Sequence, residues 1–434
     1  RISTAMTNTA LHIDHIARVE GHGNVRVVVA DGAVDTVEIQ VVEPARFFES
    51  MVRGRDYSEV TYISSRICGI CSASHVVTDL KAIERAFDVQ PSARTQAIRE
   101  LLVYGSYLQN HATHLFVLAT PDFVGTPDIF PLAASDPALL NSALEVKALG
   151  NELCTRIGGR SVHPITAVVG GFTHEVAPEE YLELAGKMEG MLPFMEKAVD
   201  LFNSFPITDI STDGDMLAMV QDGYYPIITA DTARFLQADL TFEAGDIGDN
   251  IEEYAVDRSA ALFARARATG RPYMATALSR INASWKHLSS NAKVAAAKAG
   301  LRPPELNPLK NNVAQAVELV DALERCAGIC RRLAADGYAG TSEPVPFSVK
   351  AGRGVGFTEA PRGALFHDLT IDEAGKVVHA SILTPTAQNL ASIEADVRKL
   401  AEKLVSEGIA EAALKLEVEK LIRAYDPCFS CSVH

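Results

Sequence analysis

No apolar run in the 434 residues approaches the roughly 20 needed to span a bilayer, and Arg1 to Ala10 holds no hydrophobic signal core. Neither a membrane segment nor a secretory leader is expected, and the expected location is cytoplasmic. Runs of Lys and Arg are missing too. With 40 basic and 55 acidic side chains the formal net charge is −15, which argues against nucleic acid or an anionic membrane as partner. Internal repeats and low-complexity linkers are absent. Cysteine is scarce: Cys68, Cys71, Cys154, Cys326, Cys330, Cys428 and Cys431. An odd number, with four in C-x-x-C pairs, suits a reducing compartment and metal binding better than a disulfide framework. Because the first residue is not Met, Arg1–Ala5 is expected to be a remnant ahead of Met6.

The two pairs lie near opposite ends of the chain. The first is Arg66-Ile67-Cys68-Gly69-Ile70-Cys71-Ser72-Ala73-Ser74-His75, and the second is Asp426-Pro427-Cys428-Phe429-Ser430-Cys431-Ser432-Val433-His434. Each ends in a histidine. Folding that joined them would gather four thiolates around one soft metal, for which nickel, iron, zinc and copper(I) all qualify. A structural zinc with four cysteine ligands is the plain alternative; it would close every position and perform no chemistry. Against it, zinc ribbons place their pairs much closer in sequence, and a structural zinc has no need of the Arg, His and Asp-Pro beside these pairs.

The length implies one large or two intergrown domains. Alternation around Asp31-Gly32 predicts a β-hairpin over 25–42, and a similar one spans 369–383. Three- and four-residue apolar spacing predicts helices over 92–118 and 313–335. Further helices are expected over 76–87, from a cap at Asn389 to Glu407, and over 411–425. The fold class is α+β, with a large helical core and small sheets from the N- and C-terminal segments. As one unit it divides into a β-containing part (11–75), a mainly helical core (76–350) and a C-terminal α+β part (351–434). Cys71 and His75 fall on one face at a helix start, where backbone N–H groups favour a thiolate. The tail 427–434 is expected to be extended and too short for a core of its own, with metal bonds as its anchor.

Flanking residues then add a resemblance. Both cysteine blocks, together with Arg18-Val19-Glu20-Gly21-His22-Gly23, Gly159-Arg160-Ser161-Val162-His163-Pro164, Glu359-Ala360-Pro361-Arg362-Gly363 and Thr384-Pro385-Thr386, occur in the order found in the catalytic large subunit of nickel–iron hydrogenases. The resemblance spans nearly the whole chain. It implies reversible heterolytic cleavage of dihydrogen to protons and electrons at a nickel–iron centre, whose iron carries one carbon monoxide and two cyanides. Cys68 and Cys428 would be terminal nickel ligands, with Cys71 and Cys431 bridging to iron.

The same resemblance makes Glu20 a proton relay. It makes Arg362 the guanidinium over the open side of the metals and Asp426 a carboxylate that supports the site. His75 would bond a bridging sulfur, and Pro361, Pro385 and Thr386 would surround the diatomic ligands. Glu49, the Ile382 carbonyl and His434 would hold a magnesium or iron(II) ion. Ending at His434 is what maturation cleavage after that histidine leaves; truncation leaves the same end. Asn110 departs from the family, standing where many membrane-bound relatives carry an aspartate. That departure, the shorter length and the block around His163 point to the cytosolic branch coupled to nicotinamide or deazaflavin carriers.

This chain holds no further cluster-binding cysteine pattern. The implied partners are therefore an iron–sulfur small subunit and diaphorase-type subunits with flavin, besides the maturation protease and nickel chaperones. A hydrogen-sensing subunit with little turnover and the quinone-site relative in respiratory complex I share the fold, but the latter lacks the four cysteines. Cys154, Cys326 and Cys330 read as buried structural thiols, and His111 and His114 as core histidines. Gly352-Arg353-Gly354-Val355-Gly356 reads as backbone approaching the metal pocket closely rather than as a phosphate loop.

Overall fold

The computed structural model describes residues 8–434, so Met6 and the segment ahead of it lie outside the described residues. Strands β1 (Asn8–Ile13), β2 (Gly23–Ala30) and β3 (Ala33–Val41) form an antiparallel sheet in the order β1-β2-β3. Val25 pairs with Ile39 and Val27 with Val37, so the alternation turns one apolar face inward.

Helix α1 (Phe48–Val52) leads to the first cysteine pair and α2 (Ser72–Phe87). Cys71 is the residue that precedes α2, and Asp88 ends it in the left-handed conformation (φ 59°). Helix α3 (Ala93–Ala112) begins where the Ser92 hydroxyl accepts the Thr95 N–H at 3.0 Å. It continues as one π-helical stretch, Thr113–Ala119. Helix α4 (Pro137–Gly158) is capped by Asp136 and stopped by Gly159 at φ 76°. Helices α5 (Pro178–Ser204) and α6 (Asn311–Ala334) pack side by side, and α6 also meets α3, which completes the helical core.

Between α5 and α6 the chain is only partly helical, with short helices at Ala277–Ser284 and Ser290–Lys298. It forms a four-stranded sheet from β4 (Asp215–Met219), β5 (Thr232–Phe235), β6 (Leu240–Glu243) and β9 (Tyr273–Met274), plus a pair from β7 (Ile251–Tyr254) and β8 (Phe263–Ala266). Strands of two to five residues leave too little alternation to read from sequence.

The C-terminal sheet runs β10 (Gly352–Ala360), β11 (Gly363–Ile371), β12 (Val377–Leu383), all antiparallel. Its first strand is the glycine-rich segment, and its close approach is to α2 rather than to a metal pocket. A Cβ on Gly352, Gly354 or Gly356 would lie 2.2, 2.0 or 1.9 Å from the carbonyl oxygens of Ala86, Ala82 and Thr78. Glycine at alternate positions lets a strand lie directly on a helix backbone. Helix α7 (Pro385–Ser406) starts earlier than expected, because Thr384 is extended and Pro385 suits the first helical position. Asn389 sits inside it, accepting the Ala275 N–H at 2.7 Å. After α8 (Glu411–Ala424) the tail is not extended but closes in a 3-10 turn over Ser430–Val433.

Candidate metal centre

The two cysteine pairs, 360 residues apart, meet with Cys68 Sγ 3.9 Å from Cys428 Sγ. All four sulfurs are buried. Those of Cys68, Cys71 and Cys431 lie within 4.8 Å of one another. The first pair is held locally: the Cys71 N–H donates to Cys68 Sγ at 3.3 Å, so the helix start favours the thiolate of Cys68 and not, as expected, that of Cys71. The second is held from outside. Asp426 takes a left-handed φ of 51° ahead of Pro427, and Cys428 bridges Glu20 in parallel. The Phe429 N–H donates to Glu20 O at 2.9 Å, and the Arg46 N–H donates to Val433 O at 2.9 Å. The Arg46 guanidinium donates to Ile67 O at 2.7 Å and to Ser430 O, tying the two pairs together. Phe429 is fully buried, so packing and hydrogen bonds contribute to seating the tail.

Cys428 and Cys431 are joined as a disulfide in this structure, whereas metal ligation needs both as thiolates. Hydrogen bonding with Cys71 draws the Cys68 thiol down to about 7; burial opposes this and the Arg362 charge assists it. Cys71 moves the other way, raised by burial and by Cys68.

Polar side chains converge on these sulfurs. Glu20 Oε2 is 2.9 Å from Cys428 Sγ, while the Ser430 hydroxyl donates to Oε1 at 2.5 Å. Arg362 Nε donates to Asp426 Oδ1 at 3.0 Å, and its buried Nη1 has no protein partner. Asp426 also accepts from Asn110 Nδ2 at 2.6 Å and Gln315 Nε2 at 3.0 Å. Burial would raise Asp426, but Arg362, His114 and Asn110 outweigh it and hold the carboxyl below its usual range. Asn110 thus supports the carboxylate in place of a second acid. Thr386 Oγ1 accepts the Cys428 N–H at 2.9 Å, which leaves its own proton free. Pro385 opens α7 beside it, and the Pro361 carbonyl accepts from Arg280 Nη2 at 2.9 Å.

A cluster of buried thiols under an arginine with an unsatisfied N–H fits a soft metal carrying acceptor ligands. The third group of residues also comes together. Glu49 Oε1 accepts the Ile382 N–H at 2.7 Å and lies 3.9 Å from His434 Nε2. His434 Nδ1–H donates to Cys431 O at 3.0 Å, which turns Nε2 toward Glu49. Oxygen and imidazole donors there suit a harder cation than the sulfurs do.

Other residues fall where sequence reasoning left them or escaped it. Cys154 and Cys330 are buried in helices and pushed up to about 12 by burial, and Cys326 is raised as well. His111 Nε2 meets Glu318 Oε2 at 2.9 Å, and His114 meets Gln315 and the Arg423 carbonyl. His75 Nδ1 lies 3.0 Å from His367 Nε2. Arg46, Asp79 and His367 were not singled out from sequence. Only Asp79 carried a local signal, four residues after His75 on the same helical face.

A pattern described as nickel-dependent hydrogenase matches residues 46–142 and 272–434. Sulfhydrogenase 1 subunit alpha of Pyrococcus furiosus is 35% identical over 425 residues, covering 97% of each chain. Sulfhydrogenase 2 subunit alpha of the same organism is 32% identical over 428 residues, covering 98% of each. The solved structure of an NAD+-reducing nickel–iron hydrogenase in its dihydrogen-reduced state superposes with a TM-score of 0.87 at 25% identity, over 99% of this chain and 100% of that one.

Proposed function

The chain belongs to the nickel-dependent hydrogenases and is a nickel–iron hydrogenase large subunit, and from that premise we propose how its residues divide the work. The observation that carries the reading is the meeting of Cys68 and Cys428 at 3.9 Å with the Glu20 carboxylate 2.9 Å from the second sulfur. Cys68, Cys71, Cys428 and Cys431 would hold nickel, with Cys71 and Cys431 shared with an iron bearing carbon monoxide and two cyanides. When bound, that centre supplies the heterolytic cleavage of dihydrogen.

Glu20 moves the proton. Ser430 holds both carboxylate oxygens, its hydroxyl on Oε1 and its N–H on Oε2, and Oε2, beside Cys428, is the oxygen that receives a proton and passes it outward. Arg362, pinned through Nε by Asp426, presents a fixed positive charge with a free N–H to the centre. Thr386 keeps a hydroxyl proton to donate to a diatomic ligand. Glu49, the Ile382 carbonyl and His434 Nε2 would hold magnesium or iron(II) beside the tail.

Electrons leave on the side of the first cysteine pair. Gly69, between the cysteines of the first pair, is exposed, with Val162 of the 159–164 loop against it. Tyr62, Val162, Ile165 and Phe347 are exposed apolar residues, and most of them line or border a groove of about 450 Å³ there. This apolar rim supports docking of an iron–sulfur small subunit over the first pair. The relatives are named as subunits, which fits a multi-subunit enzyme, and an NAD+-reducing structure among the matches supports flavin-bearing diaphorase partners and a nicotinamide carrier. No helix among the described residues is long and apolar enough to cross a membrane, and a cytoplasmic location of the complex is part of this proposal.

Infrared spectroscopy of the purified complex is the test. One carbonyl band and two cyanide bands with nickel present are expected; stoichiometric zinc without nickel would sink the reading. Glu20→Gln should keep those bands while turnover falls about 10²–10⁴-fold. Undiminished turnover would remove Glu20 from the proton route.

A further inference from the structure

Behind His75 lies a chain of polar groups for which the fold itself offers no reason. Asp79 follows one turn later on α2, and His367 enters from β11. His367 Nδ1 is 2.6 Å from Asp79 Oδ1, and its Nε2 is 3.0 Å from His75 Nδ1. The Ser64 hydroxyl donates to the other Asp79 oxygen. Ser64, Asp79 and His367 are 0% exposed and His75 is 1%. Among the described residues, His367 is the one ion-pair partner of Asp79. Apolar side chains would fill such a space at lower cost, since each buried polar group here must be matched by another.

The consequence falls on His75. A histidine ring can turn over and exchange its two nitrogens, and the bond made by one nitrogen decides what the other offers. His75 Nδ1 is consumed by His367, whichever ring supplies the shared proton. His367 is in turn held by Asp79, and Asp79 by Ser64. Only Nε2 of His75 remains for the cysteine sulfurs, four residues back at the start of the same helix.

We propose that Asp79 and His367 are positioning residues that lock the His75 ring so that Nε2 alone is offered to the metal centre. This rests on the nickel–iron reading above. On this proposal the lock would act on the centre through a hydrogen bond from Nε2 to a cysteine sulfur, and so on the electron density of iron. The carbonyl and cyanide stretching bands read that density directly.

The test uses the complete complex, with infrared band positions, nickel content and turnover measured on each variant. His367→Phe keeps an aromatic ring but makes neither hydrogen bond. It should displace the bands and lower turnover about 10–100-fold while nickel is retained. His367→Gln, whose amide can still meet His75, should restore part of both. Asp79→Asn should move the bands the same way by less. Unmoved bands in a nickel-loaded His367→Phe complex overturn the inference, as does a Gln variant no closer to the unaltered complex than the Phe variant, since a packing role alone would favour Phe. If His367→Phe fails to fold, Asp79→Asn decides, and unmoved bands there overturn the inference. Absence of the bands from the unaltered complex is a different failure, that of the nickel–iron reading itself.

Discussion

The two cysteine pairs share a motif yet are supported in opposite ways. Cys68 and Cys71 sit at the start of a 16-residue helix, and a glycine-rich strand presses that helix into place. Cys428 and Cys431 follow a left-handed Asp426 and a proline, in a tail with no regular element longer than a four-residue turn. Their positions come from Glu20, Arg46 and Thr386, each far away in sequence. Local structure can hold half of a metal centre, and distant contacts must hold the other half. Such a division lets the tail be seated last, after the first half has formed.

Breaking the local half should have the largest effect. Gly356→Ala would place a Cβ 1.9 Å from the Thr78 carbonyl, so strand and helix must separate. We expect a loss of about 4 kcal/mol or more in thermal or denaturant unfolding, enough to unfold much of the chain. A near-normal midpoint would show that the strand does not seat α2.

Breaking the bridge between the halves comes next. Arg46→Ala leaves the Ile67 and Ser430 carbonyls without their donor, at a cost of about 3 kcal/mol. Nickel retention should fall further than stability does, because the tail loses its tie to the first pair; Arg46→Lys should recover part of it. Equal nickel content in all three proteins would mean that the tail is seated without Arg46.

The smallest effect sharpens the contrast through pH. Asp396 takes the Tyr425 hydroxyl just ahead of the tail and is pushed up to about 6, chiefly by burial, against the hydrogen bonds from Tyr425 and Thr212. The folded chain therefore keeps this proton between about 4 and 6 where the unfolded chain has released it, so stability falls as pH rises through that window. Asp396→Asn should remove about 2 kcal/mol of that fall. An unchanged slope would place its origin elsewhere.

Much of the centre was legible because its chemistry is local. Cys68, Cys71, Cys428 and Cys431 announce a soft-metal site by type and spacing, Glu20 and Arg362 lie in short blocks that carry a family resemblance, and hairpins and long helices announce themselves by period. Asn389 misled because a cap-forming residue type also serves inside a helix, bonding another segment. Strand β10 hid because glycine gives no alternation, and the short strands over 215–274 offered too few residues to show one. Arg46 and His367 carried no signal at all, since their partners lie 21 to 384 residues away.

The sequence by itself determined the two sulfur pairs, the blocks that carry Glu20 and Arg362, and the helix start beside the first pair. Those depend on side-chain chemistry and on hydrogen bonds within one turn. Only the tertiary structure decided that Cys428 lies against Cys68, that Asn110 and Arg362 share one carboxylate, and that His75 backs onto His367. Contacts between distant segments are selected by burial of a whole core, and no short stretch of chain records that sum.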